Sequence, residues 1–99
     1  MYVFHNDPAH AWLAVKSSEI ARLGIGDKIS QFSYQNGSTV YLEEDSDAGV
    51  FLRAKEAAGE KVTKDQIREV YSNHSHRIRN YESYRGISKQ LSQSPSGGV

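Results

Sequence analysis

The sequence predicts an α+β fold: a small antiparallel sheet in the order ββαββαα, with helices packed on one face. Three observations predict it. Asn36-Gly37 lies between two runs rich in β-branched and aromatic residues, "KISQFSYQ" and "STVYLE", the strongest hairpin signal in the chain. Val50, Phe51, Ala54, Ala57 and Ala58 then recur at helical spacing, with Leu52 beside them. Near the start, the apolar runs "YVFH" and "AWLAV" are split by Asn6, Asp7 and Pro8, all turn residues.

Each element has its own local reason. Tyr2 to His5 is rich in β formers and reads as the first strand. Pro8 biases Asp7 away from helix, and Ala11 to Val15 reads as a second, antiparallel strand. In "SSEIARLGIG", Ser17 or Ser18 caps a short helix carrying Ile20 and Leu23, and Gly24 ends it. In the hairpin, Phe32 and Tyr34 share one face, as do Val40 and Leu42 on the partner strand. Gly59 closes the helix after the hairpin. A third short helix is expected at "VTKDQIREVY", where Thr63 and Gln66 make a capping box and Val62 with Ile67 a hydrophobic staple. The weak alternation of "SHRIRNYESYR" could add an edge strand around Arg77 to Tyr81. Residues 1–86 form a single domain on this reading, and the Ser/Gly/Gln-rich residues 87–99 a flexible tail.

The totals exclude several classes. Ninety-nine residues suit one domain, and 37% apolar residues with ten aromatic rings suit one modest core. The absence of cysteine removes disulfides, thiolate zinc sites and a cysteine nucleophile, and fits a reducing compartment. "MYVFHNDP" turns polar after four residues, so neither a signal peptide nor a membrane span is expected, and the chain reads as cytoplasmic. Net charge is zero but unevenly placed: five Lys/Arg against nine Asp/Glu in residues 1–60, seven against three in residues 61–99. Two charged faces or a basic tail would produce that split.

Four stretches could carry chemistry. The run Glu43, Glu44, Asp45 and Asp47 precedes a helix; it can be the negatively charged entrance that caps free N–H groups, through Asp45 or Ser46, or a patch facing a basic partner or cation. His5, Asp7 and His10 lie across one turn and could reach one metal ion, although their spacing matches no established zinc signature and the plainer reading is that Asn6 and Asp7 bond their own backbone. His74 and His76 would extend that to a four-histidine set if the segments met. Arg77, Arg79 and Arg85 with Tyr81 and Tyr84 could contact phosphates and stack on bases, or form a basic edge pairing with the acidic run. No serine lies in a nucleophile elbow, "LGIGDK" lacks the spacing of a phosphate loop, and no cofactor is expected. Trp12 is expected to anchor the core beneath the helices.

Two stretches, "FHNDPAHAWLAV" and "YQNGSTVYLEEDSDAGVFLRA", together resemble a family of small uncharacterised bacteriophage and mobile-element proteins. The shared pattern is a His-Asn-Asp-Pro-x-His-x-Trp-Leu start, here His5, Asn6, Asp7, Pro8, His10, Trp12 and Leu13. A Tyr-Leu-Glu-Glu-Asp-x-Asp-Ala motif follows, here Tyr41, Leu42, Glu43, Glu44, Asp45, Asp47 and Ala48. The resemblance implies a phage accessory protein that binds a host protein, such as an inhibitor of a host defence complex of the anti-CRISPR kind.

The functional expectation is therefore a non-enzymatic interaction protein without catalytic residues. Its partner-binding residues are Glu43, Glu44, Asp45 and Asp47 on the acidic side and Arg77, Arg79, Tyr81 and Arg85 on the basic side. The partner is a host protein or complex, and opposite patches also allow a homodimer. The alternatives are nucleic-acid binding through the basic, tyrosine-bearing segment, and a small metal-dependent enzyme built on His5, Asp7 and His10.

Overall fold

A computed structural model describes residues 1–74 and 76–85. The boundary expected at residue 86 and the tail expected over 87–99 lie outside the described residues. The chain forms strands β1 (Tyr2–Asn6) and β2 (Ala11–Lys16), helix α1 (Ser17–Arg22), strands β3 (Tyr34–Asn36) and β4 (Thr39–Glu43), helix α2 (Asp47–Ala57), and strands β5 (Ile67–Tyr71) and β6 (Glu82–Ser83). All six strands join one sheet in the order β5-β1-β2-β4-β3-β6. It is a small α+β fold, antiparallel except where β5 runs parallel to β1.

The hairpin forms one residue later than the Asn-Gly pair suggests. Asn36 pairs with Thr39, so the two loop residues are Gly37 and Ser38. Gly37 has φ +63° and Ser38 does not share the positive sign, which suits a turn needing it only at the first loop position. Phe32 falls outside β3 and stands 73% exposed, so it does not share a strand face with Tyr34.

Strand pairing divides the side chains between two faces, because neighbours along a strand alternate. Phe4 opposes Leu13, which opposes Leu42; Val15 opposes Val40. These residues meet Ile20, Ala48 and Phe51 from the helices, and Ile25 and Ile29 from the connection after α1, in the main core. Lys55 of α2 donates to Glu19 of α1 and to Glu60, which also accepts from Arg22, so a charged network ties the two helices together.

Trp12 is buried as expected, but on the other face. It opposes His5 and Glu43, one residue out of phase with Leu13, so it points away from the helices. Residues 76–84 cross that second face as a strap. Ile78 is completely buried, the Tyr81 ring lies 5.2 Å from that of Tyr41, and β6 then pairs with β3. Tyr84 rounds the sheet edge and donates its hydroxyl to the Gly26 carbonyl at 2.8 Å.

Two expected elements are corrected. The third helix is only a 3₁₀ turn, Lys64–Gln66, followed by β5. Its capping signals are real, with the Thr63 N–H donating to Gln66 Oε1 at 2.9 Å, but they define a start and not a length. Ile67, Val70 and Tyr71 favour strand as much as helix, and the open edge of β1 offers a ladder that decides the matter. The edge strand expected around Arg77 to Tyr81 is a 3₁₀ turn at Arg77–Asn80, and pairing begins only at Glu82.

Candidate functional site

The acidic run divides between structural and outward-facing groups. Glu43 ends β4 and folds back over the start of α2. Its carboxylate accepts from the N–H groups of Asp45 (3.0 Å), Ser46 (2.8 Å) and Asp47 (3.2 Å). The helix entrance is thus capped by Glu43, whereas the Ser46 side chain makes no capping bond. Asp47 is 1% exposed, which corrects its expected place in a partner-facing patch. Its Oδ2 accepts from the Ser30 N–H (3.0 Å), Ser30 Oγ (2.7 Å) and Ser33 Oγ (2.6 Å), pinning the loop before β3 to α2. Glu44 and Asp45 face solvent.

The N-terminal turn is built around Asp7. Its N–H donates to the His10 carbonyl at 2.9 Å, closing the turn. Its carboxylate accepts from the N–H groups of Ala9 (3.0 Å) and His10 (2.9 Å), the local Asx geometry. It then reaches the strap, accepting from the His76 N–H (2.9 Å) and from Arg79 through Nε (2.9 Å) and Nη2 (3.0 Å). The Arg79 guanidinium, aided by those N–H groups, overrides burial and holds the Asp7 carboxyl far below the usual carboxylate range. A two-pronged ion pair with a fully buried carboxylate therefore fastens residue 79 to residue 7.

That arrangement corrects the metal set of His5, Asp7 and His10. Both Asp7 oxygens are occupied by N–H donors, and the cation beside them is Arg79. His5 instead faces His76, with ring centroids 5.1 Å apart, while His10 stacks on Trp12 at 5.9 Å. Burial beside His76 and Arg68 lowers the His5 pKa. Among the described residues no three His, Asp or Glu side chains converge to hold an ion. The basic segment is likewise partly committed to the fold. Arg79 belongs to Asp7, Tyr81 packs on Tyr41, Tyr84 is buried, and Arg85 pairs with Glu82; Arg77 is exposed.

The acidic and basic segments share a cleft. A cleft of about 370 Å³ is lined by His10, Trp12, Phe32, Tyr34, Glu43, Asp45 and Arg79. Its floor is aromatic: the Trp12 and Tyr34 rings lie 6.2 Å apart, edge to face, and the Arg79 guanidinium sits 5.6 Å over the Trp12 ring. The Arg79 charge is already balanced by Asp7, so Glu43 and Asp45 leave the opening acidic. Phe32 stands at its mouth.

Glu43, Asp45 and Arg79 were expected partner-binding residues and His10 a candidate metal ligand; Phe32 and Tyr34 join them only through folding. No local signal marks Phe32 as outward-facing, because an apolar residue between Gln31 and Ser33 reads as an inward strand position. No family model matches the chain, and no curated protein or solved structure matches it.

Proposed function

We infer that the chain is a small accessory protein of a phage or mobile element that works by binding a host protein or complex in the cytoplasm, as an inhibitor of a defence complex such as an anti-CRISPR does. One observation carries the binding reading: Phe32 holds its ring 73% exposed beside an aromatic cleft with an acidic opening. An exposed ring next to a shaped polar-and-aromatic hollow is the composition of an interface centre, where one anchor supplies most of the energy. The strongly perturbed groups point the same way. Asp7, Lys55 and Glu60 are each satisfied by a neighbour within the fold, which is how groups that hold structure behave.

In this reading Phe32 inserts into a partner pocket while a partner side chain enters the cleft between Tyr34 and Asp45. Burying the ring would contribute roughly 2 kcal/mol, or about thirtyfold in affinity. Capture from host lysate with wild-type protein and with Phe32→Ala and Asp45→Lys tests it. Both variants should retain the wild-type melting temperature and lose the captured partner. Equal capture by all three would remove this cleft from consideration.

A further inference from the structure

We propose that the β5 edge is a self-association surface, on which two copies of the chain pair antiparallel about Val70 to form one continuous sheet. This inference stands apart from the cleft and does not depend on it. The Ser72 N–H donates to the Asn6 carbonyl at 2.8 Å, and Tyr71 is the register partner of Asn6. Residues 68, 70 and 72 therefore turn their backbone groups toward β1, because the direction alternates along a strand. Ile67, Glu69 and Tyr71 turn theirs outward. Among the described residues no strand pairs with that outer side.

The side chains do little to discourage pairing. β5 carries no proline or lysine, and its Val70 and Tyr71 are 36% and 73% exposed. By contrast, the opposite edge, β6, is two residues long. A hydrogen-bonded antiparallel pair sets outward residues against outward residues, so a two-fold axis must pass through a residue position. Centring on Arg68 faces it with its own copy, and centring on Glu69 does the same for that carboxylate; both place like charges opposite each other. Centring on Val70 avoids this. It sets Val70 against the partner subunit's Val70, Arg68 against the partner subunit's Ser72, and Glu69 against the partner subunit's Tyr71.

The last pair has two further supports. Within one chain the Tyr71 hydroxyl already donates to Glu69 at 2.9 Å, so the chemistry of the contact is present. Glu69 also borders an apolar hollow of about 380 Å³, lined by Phe4, Leu13, Leu52 and Ile67 among others, on the helix side of the sheet. Ile67, Glu69 and Tyr71 all point to that side, since they follow the register of Tyr2 and Phe4. The partner subunit's Tyr71, placed opposite Glu69, has its ring at the mouth of this hollow. A second copy thus provides the ring, the hydrogen-bond donor and the strand that the edge fits.

The absence of cysteine makes a register-specific test available. In this pairing Val70 forms a non-hydrogen-bonded pair with its own copy, where Cα atoms lie about 4.5 Å apart, within disulfide range. Val70→Cys should give a covalent dimer under mild oxidation. Arg68→Cys, whose two copies would lie four residues apart along the strand at about 13 Å, should not. Light scattering of the wild-type chain should give twice the chain mass. Val70→Lys and Tyr71→Pro should give the single-chain mass with unchanged circular dichroism; Tyr71→Pro removes only an outward N–H from the β5 backbone. A wild-type monomer, a dimer that both variants leave intact, or equal cross-linking at positions 68 and 70 would each overturn the proposal. A monomer whose Ile67, Glu69 and Tyr71 amides resist exchange would do the same, by assigning the edge to the chain's own residues.

Discussion

The two faces of the sheet are held by different forces. The helix side is an apolar core in which Leu13, Leu42 and Phe51 are at most 1% exposed. The strap side is aromatic and polar, with Trp12, Tyr41, His5 and His76 in ring contact and the Asp7–Arg79 ion pair fastening the strap down. Apolar packing is distributed over many contacts, each small. The hold on the start of the strap is instead concentrated on one carboxylate, Asp7, that accepts five N–H donors. The first face provides stability, and the second places Arg79, Tyr34 and Trp12 around the cleft.

The largest expected effect tests that division. Phe51→Ala removes a completely buried ring and should cost about 3–5 kcal/mol, read from chemical denaturation. Asp7→Ala should cost less, about 2–3 kcal/mol, through N–H groups left without an acceptor and an unpaired guanidinium. Because the substitutions act on opposite faces, the double variant should lose their sum to within about 0.5 kcal/mol. A larger coupling would mean that strap and core fold as one unit.

Acid should loosen both faces, each through its own carboxylate. Asp7 has a lowered pKa in the folded state, so its contribution is complete above the unfolded value of about 3.9 and disappears as pH falls through the folded value. Glu60, drawn down to about 2 chiefly by Arg22 and then Lys55, titrates in the same direction on the helix side. Wild type and Asp7→Asn should therefore be compared at each pH. Their difference in melting temperature should be constant near neutrality and shrink steadily from about pH 4 downward. A difference that does not change with pH would mean that the Asp7 charge adds nothing to the clamp.

This contrast also explains what could be read from the sequence. The β1–β2 pair, α1, the β3–β4 hairpin and α2 are set by neighbours within a few residues, through turn chemistry, caps and periodicity. β5 could not be read that way, because the partner that makes it a strand lies 65 positions earlier, at Tyr2 opposite Ile67. The Asp7–Arg79 clamp spans 72 positions and leaves no local mark. The face of Trp12 was legible in principle. If Leu13 and Val15 point to the helices, alternation sends Trp12 to the other side, and only the assumption of a single core hides this. Asp47 was misplaced for a related reason: its serine partners, Ser30 and Ser33, come from a loop that folding brings to it.

The smallest expected effects decide what the acidic run is. Glu43 satisfies three backbone N–H groups at the α2 entrance, so Glu43→Ala should cost about 1 kcal/mol, the usual loss for a helix cap. Asp45 has no such duty for its carboxylate and faces solvent, so Asp45→Ala should change stability by less than about 0.5 kcal/mol. The cleft reverses this order for binding, since both residues line it but only Asp45 is free of the fold. Asp45→Ala should weaken partner capture at unchanged melting temperature, and Glu43→Ala should lower the melting temperature first. If instead both substitutions lower stability equally and leave capture intact, the whole run is a helix entrance and the binding surface lies elsewhere.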